Sequence, residues 1–256
     1  MSGSAHRTAA WLLRTTRLSL IPVRVRKGVA AGARWTLLPW TSYWRGTHEP
    51  RVQAAVLALG GGSVLGWSCW DLGAHFGIYS IGLARRVGPG GQVAAFEPNP
   101  ASFARLRRHA RMNRLGWLKI YEAAASDRAG CSEMFTYGDL GSTGTHLPYD
   151  GETREPACKP IAVRTVRLDD LVSSGELRPP DFAKIDVEGH AHRAIQGMAG
   201  ALQARRPILI VAIHSKEEWA GVREAIEPLG YAWESLDSAG AAPWIGRDLI
   251  CAPCPS

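Results

Sequence analysis

The string Trp70-Asp71-Leu72-Gly73-Ala74-His75-Phe76-Gly77 sets an acid before two glycines, with an apolar helical pattern, Ile78–Ala84, directly behind it. A second acid, Glu97, follows about twenty positions further on, at the end of another apolar run. A strand, a glycine turn, a helix and a second strand ending in a carboxylate make up the first half of a nucleotide-binding α/β sheet. The chemistry such residues perform is capture of a nucleoside: backbone at the turn, a carboxylate for a ribose diol.

The turn discriminates between nucleotides. Gly73 and Gly77 are separated by Ala74, His75 and Phe76, which is not the G-x-G-x-x-G spacing that seats a pyrophosphate on a helix N-terminus. Asp71 at the strand end would repel a pyrophosphate and suit a ligand carrying an ammonium and a sulfonium. S-adenosyl-L-methionine is such a ligand, with a ribose diol for Glu97. The plainer alternative makes Asp71 a helix cap and the glycines ordinary turn residues.

A second constellation is Lys184-Ile185-Asp186-Val187-Glu188-Gly189. It places two carboxylates at the C-terminal end of a buried strand, the edge where open α/β sheets bind ligands. Asp186 and Glu188 share a face of an extended chain. Lys184 and Asp186 interrupt a run that would otherwise be core. A divalent cation would accept such oxygen ligands, but two carboxylates without a third ligand do not define a metal site, and none is expected. His190 and His192 stand two apart at a helix start, a spacing that does not turn them toward one another.

The elements that must position these residues alternate. Strands are expected at Ser68–Leu72, Gln92–Glu97, Leu118–Ala124, Phe182–Val187 and Ile208–His214. Helices are expected at Gly77–Val87, Pro100–Leu115 and His190–Ala204, preceded by one at Glu49–Leu59 that begins near Pro50 and ends at Gly60-Gly61-Gly62. The strands lack clean alternation, as in a parallel sheet covered on both faces. The fold class is therefore α/β, doubly wound and mostly parallel. Residues 138–160 break the pattern with Gly, Pro, Ser and Thr and read as a long loop of the binding or lid kind. Ile161–Leu168 then reads as an extra strand.

At 256 residues the chain is one sizeable domain, and an apolar fraction of 46% excludes wholesale disorder. Its net charge of +7 is local: residues 1–48 hold eight Arg and Lys and no acid, leaving 22 basic against 23 acidic residues beyond. The organisation expected is a basic N-terminal extension, 1–48, before a binding domain, 49–256. A near-neutral body argues against nucleic acid as a partner. The extension could touch an anionic membrane surface peripherally, or lie solvated against the domain. No run approaches the roughly 18 apolar residues of a membrane span. The five cysteines show no paired zinc spacing, and the lone Cys251-x-x-Cys254 is weak evidence for metal or redox work. Reduced thiols and a cytoplasmic location are expected.

Six strings occur in order: DLGAHFGIYS from Asp71, FEPNP at Phe96–Pro100, AAASD at Ala123–Asp127, VRLDDL at Val166–Leu171, KIDVEG at Lys184–Gly189 and PILIVAIH at Pro207–His214. Together they resemble the FkbM-type methyltransferases, a branch of the class I S-adenosylmethionine-dependent enzymes. The resemblance runs from about Trp44 to His214. It implies a seven-stranded Rossmann-like sheet and O-methylation of a small-molecule hydroxyl, on a sugar or a polyketide-type product. By position it implies that Asp71, Gly73, His75 and Gly77 line the methionine and ribose side and that Glu97 takes the ribose hydroxyls. Ser126 and Asp127 would approach the adenine, and Glu49 would stand near the cofactor.

For methyl transfer to oxygen, His214 is the leading general base, because it ends a strand at the ligand edge and titrates near neutrality. Asp186 is second, as a base or an orienter. Two departures fall on this acceptor side: the family's DVEGxE ends here in Ala191, and its acid two residues before the strand-end histidine is Ala212. They leave open a cofactor-binding protein of the same fold without strong catalysis. A nicotinamide oxidoreductase is disfavoured by Asp71 and the glycine spacing, and a nucleic-acid methyltransferase by the body's charge.

Overall fold

The computed structural model describes residues 21–37, 41–136, 159–237 and 244–254. The leader up to residue 20 and nearly all of the expected loop at 138–160 lie outside the described residues. In chain order the elements begin with a hairpin, β1 (Pro22–Arg24) and β2 (Arg34–Thr36), and helix α1 (Pro50–Ala58). The alternating body follows: β3 (Ser68–Leu72), α2 (Ile78–Val87), β4 (Gln92–Phe96), α3 (Pro100–Asn113) and β5 (Leu118–Tyr121). Next come β6 (Ala124–Ala125), β7 (Gly130–Thr136), β8 (Lys159–Val166), α4 (Leu168–Ser173) and β9 (Phe182–Ile185). The chain continues through α5 (Ala191–Gln196), α6 (Ala199–Arg205), β10 (Ile208–Ile213), α7 (Lys216–Ile226), β11 (Tyr231–Ser235) and β12 (Arg247–Pro253).

Seven strands form one sheet in the order β11-β12-β10-β9-β3-β4-β5. The pairs from β10 to β5 are parallel, and β12 runs antiparallel to both of its neighbours. A smaller sheet, β6-β8-β7, stands beside it. Successive residues of β3 enter opposite cores: Cys69 joins Val93, Ala95, Phe182 and Ile210, whereas Trp70 and Leu72 join Ala94, Phe96, Ala183 and Ile185. Both faces are buried, which is why the strands read as unbroken apolar runs. A fully buried side chain such as Leu72 contributes on the order of 2 kcal/mol.

The expected strands and helices of the parallel body are present with ends shifted by a residue or a few, and two expectations need revision. Leu118–Ala124 is divided, with β5 in the main sheet and β6 in the small one. The single helix at His190–Ala204 is two, α5 and α6, interrupted at Gly197 and Met198. Gly197 packs so closely on the Ser126 carbonyl that a Cβ would sit 1.9 Å from its oxygen. The Asp169 carboxylate then starts the second helix by accepting from Gly200 N (2.8 Å) and Ala201 N (3.0 Å). In the described part of the basic segment Val29, Trp35 and Tyr43 lie buried in the same core as α2. No described helix is long and apolar enough to cross a membrane.

Candidate active site

The chain moves outward from β3 to β4 and β5, then returns to lay β9 on the other side of β3. The C-terminal tips of β3 and β9 therefore flank a topological switch point, where an open α/β sheet leaves a crevice. A cavity of about 390 Å³ occupies that position. Its wall includes Glu49, Gly73, His75, Glu97, Asp186 and His214, six of the ten residues expected at a site.

The turn after β3 is built by glycine. Gly73 has φ +81, and a Cβ there would lie 1.8 Å from the Asp186 carbonyl oxygen, so only glycine lets the tips of β3 and β9 approach. His75 follows in a left-handed conformation at φ 49. Its backbone N–H donates to Glu97 Oε2 (2.6 Å), and Asn99 N–H donates to Glu97 Oε1 (2.8 Å). Asn99 in turn caps α3 by accepting from Ala101 N and Ser102 N, with Pro100 in the first turn. The FEPNP string is thus a strand end, a cavity-lining carboxylate and a helix start in five residues. Glu97 is 6% exposed, and burial pushes its pKa up to about 7 against the two N–H donors. Burial takes His75 down to about 4, so its ring is neutral. Tyr43 Oη lies 2.7 Å from His75 Nδ1, and His75 Nε2 is buried with no hydrogen-bond partner among the described residues.

Asp71 does not line the cavity. It lies beneath, 1% exposed, accepts from Ser80 Oγ and is paired across the sheet with Lys184. Its charge acts on Lys184 rather than directly on a ligand, because the strand turns its side chain to the buried side. Lys184 Nζ is 2.9 Å from Asp186 Oδ2. Burial alone would discharge this lysine, but Asp186, Glu49 and Asp71 outweigh it and hold the pKa above the ordinary value. Glu49 completes the group. Tyr79 Oη donates to its Oε2 (2.8 Å), His48 Nε2 is 2.9 Å from its Oε1, and despite burial Lys184 and these partners bring it down to about 2.

On the opposite wall His214 Nε2 lies 3.4 Å from Glu188 Oε2 and 3.7 Å from Asp186 Oδ1. His214 Nδ1 faces Glu218 Oε2 at 3.4 Å, and His214 N–H donates to that same oxygen at 2.6 Å. Burial opposes charge on this ring, yet Glu218, Glu188 and Asp186 prevail and raise it to about 9. The base assigned from sequence therefore rests as an imidazolium at neutral pH. Glu218, 0% exposed, also accepts from Ala191 N (2.8 Å). A carboxylate thus stands against the backbone of Ala191, the position where the sequence lacks an acid. Glu218 was not singled out from sequence, although Ser215-x-x-Glu218 is a capping-box spacing, and Ser215 Oγ does accept from Glu218 N at 3.0 Å.

Three further expected residues are elsewhere. Gly77 is the left-handed N-cap of α2 and packs on Leu106, outside the cavity wall. Ser126 and Asp127 line a neighbouring recess, whereas Ala124 and Ala125 line the cavity itself. His190 borders both spaces, with Nε2 3.1 Å from Ser126 Oγ. The rings of His190 and His192 come within 6.1 Å, nearer than helix spacing implies, because His190 precedes the helix. Cys251 is buried on β12, Cys254 is exposed just beyond it, and both are free thiols.

This sheet order, with a single antiparallel strand beside the edge and a cavity at the switch point, defines a class I methyltransferase type of α/β protein. The sequence model described as the methyltransferase FkbM domain matches residues 71–232, and the chain belongs to that family. It is 30% identical over 147 residues to the hexuronic acid methyltransferase AglP of Haloferax volcanii, covering 57% of this chain and 55% of that protein. It is 27% identical over 169 residues to the 31-O-demethyl-FK506 methyltransferase FkbM of Streptomyces tacrolimicus, covering 57% and 64%. To the 2-O-methyltransferase NoeI of Sinorhizobium fredii it is 31% identical over 120 residues, covering 43% and 48%. The matches span about half to two thirds of these relatives' own length.

Proposed function

We propose that this protein transfers a methyl group from S-adenosyl-L-methionine to a hydroxyl of a small molecule, of the sugar or polyketide kind. Membership of a methyltransferase family supports the reaction class. The relatives support the acceptor class: one is named for a hexuronic acid, one for 31-O-demethyl-FK506 and one as a 2-O-methyltransferase. The observation that carries the reading is the pairing of Glu97 with the Gly73 turn at the cavity edge. Glu97 keeps lone pairs beyond its two N–H donors for ribose hydroxyls. The buried, unpartnered His75 Nε2 at the wall likewise suits a polar ligand.

Gly73 and Glu49 at the cavity wall would hold the methionine end, with Asp71 acting through Lys184 and Gly77 starting the helix behind the turn. Ala124 and Ala125 at the cavity wall, with Ser126 and Asp127 in the neighbouring recess, would hold the adenine. The donor supplies an electrophilic methyl on sulfur. This chain's part is to align the acceptor oxygen with that carbon and to take the hydroxyl proton on His214 Nε2 or a carboxylate oxygen of Asp186.

Calorimetry with S-adenosylhomocysteine and with NAD tests the donor, and labelled methyl transfer to hexuronic acids, glycosides and macrolides tests the acceptor. Binding of S-adenosylhomocysteine alone, with label in at least one hydroxyl acceptor, is expected. Binding of NAD instead would overturn the assignment.

A further inference from the structure

We propose that Asp186, Glu188 and His214 bind one first-row divalent cation at the acceptor side of the cavity. The three residues offer one ligand atom each, all within 4.8 Å of one another. The spacing is the first argument. His214 Nε2 stands 3.4 Å from Glu188 Oε2 and 3.7 Å from Asp186 Oδ1. A charge-assisted hydrogen bond would be about 2.7–2.9 Å. Two ligands each about 2.1 Å from a shared ion lie up to about 4.2 Å apart. The two separations from His214 are long for the first arrangement and fit the second.

The atoms not aimed at this point are held from behind. Asp186 Oδ2 is engaged by the buried Lys184 at 2.9 Å, which leaves Oδ1 for the cavity. His214 Nδ1 faces Glu218 Oε2 at 3.4 Å, so an ion that displaced the Nε2 proton would leave the ring hydrogen on Nδ1, beside that carboxylate. Glu218 is itself fixed by the backbone N–H groups of His214 and Ala191. A carboxylate behind a histidine is the usual support of a metal-ligating imidazole.

Charge is the independent argument. Among the described residues five carboxyl groups line the cavity, those of Glu49, Glu97, Asp186, Glu188 and Asp248, against the Arg247 guanidinium and the His214 imidazolium, with Lys184 behind the wall. The surplus calls for a cationic occupant. One imidazole with two carboxylates suits manganese, iron or zinc better than magnesium or calcium, which favour all-oxygen shells. Three protein ligands leave further coordination positions facing the cavity, where an acceptor oxygen can bind. With Nε2 on the ion His214 would no longer serve as the base, and the ion would instead lower the pKa of the acceptor hydroxyl. The inference thus deepens the O-methyltransferase reading, although capture of the ion does not depend on it.

The test titrates the full chain, stripped with chelator, with manganese chloride and separately with zinc chloride, by calorimetry and, for manganese, electron paramagnetic resonance. One equivalent is expected to bind. Glu188→Gln and His214→Asn should each weaken it at least tenfold, and Glu218→Gln by about 10- to 100-fold. Manganese should also broaden the His214 ring resonances of the unaltered protein, a readout that needs no variant to fold. Equal affinity in the wild type and Glu188→Gln, or His214 signals left sharp, would overturn the site. S-adenosylhomocysteine binding is measured in parallel in chelator. Its failure with the metal titration intact sinks only the methyl-donor reading, and the reverse result sinks only the cation site.

Discussion

Lys184 Nζ lies 2.9 Å from Asp186 Oδ2 and 4.8 Å from the centre of the Tyr79 ring. The two residues of the pair are two apart along one chain, so they share a face at the end of β9. That one ammonium couples the sides of the cavity. Behind it are Asp71 and the Glu49–Tyr79 pair, and before it is Asp186, whose other oxygen looks toward His214. A buried cation among carboxylates is a positioning device more than a source of net stability, since desolvation offsets most of its attraction.

Removing the charge alone exposes this dependence. Lys184→Met keeps the chain's bulk but leaves Asp71 and Asp186 uncompensated. Urea denaturation at pH 7 should show a loss of about 3–5 kcal/mol, and S-adenosylhomocysteine binding should weaken. A loss below about 1 kcal/mol, within the range of a surface pair, would mean that the carboxylates do not rely on Lys184.

Gly73 is a steric keystone. Its φ is +81, and an added Cβ would meet the Asp186 carbonyl oxygen at 1.8 Å. Gly73→Ala must therefore part the tips of β3 and β9. The expected cost is roughly 1–3 kcal/mol of strain, with affinity for S-adenosylhomocysteine reduced more than tenfold. Gly61→Ala, where a Cβ meets nothing within 4 Å but φ is +65, controls for the backbone effect alone. Equal donor affinity in both variants would deny Gly73 its role.

The parallel body was legible because its strands are buried on both faces and separated by glycine turns and capped helices. Glu97, Gly73 and the tip of β9 followed from that alternation. The elements beyond His214 were not read. In β12 only Leu249 and Cys251 are fully buried, and antiparallel insertion between β10 and β11 leaves no local signal. Glu218 was hidden for a different reason: its capping-box spacing announces a helix start, whereas its reach to Ala191 depends on how α7 packs on α5. Asp71 was found but misplaced, since a strand-end acid can face the crevice or the core, and the sequence pattern does not distinguish them. His214 joins Asp186 and Glu188 only because β10 lies beside β9, and this supplies the third ligand that spacing along the chain could not.

Glu97 links donor affinity to pH. Burial, opposed by the Asn99 and His75 N–H groups, sets its carboxyl at about 7 in the empty cavity. Its folded value is thus above the unfolded one, so ionisation costs stability as pH rises from about 4.3 through 7. Ribose hydroxyls favour the ionised form. Calorimetry should therefore find S-adenosylhomocysteine binding more tightly at pH 8 than at pH 6, with proton release at the lower pH. Glu97→Gln should bind weakly at both values and, without ligand, melt higher than the wild type at pH 8. If its affinity kept the wild-type pH dependence, Glu97 would not be the linked group.

His214 carries the opposite sign. Burial disfavours its charge, but Glu218, Glu188 and Asp186 raise it to about 9. A histidine raised above its free value of about 6.5 contributes stability that is fully present below that pH and disappears as pH climbs through 9. In chelator the wild type should lose up to about 3 kcal/mol across this window, with screening reducing the figure for a side chain 27% exposed. His214→Asn should be flat over the same range. The proton responsible also occupies the lone pair that a base must offer. Without added metal, kcat/KM for methyl transfer should therefore rise about tenfold per pH unit below 9 and level off above it. A rate unchanged from pH 6 to 9 beside an intact stability slope would remove His214 from proton transfer, because the ring would then titrate without the reaction depending on it.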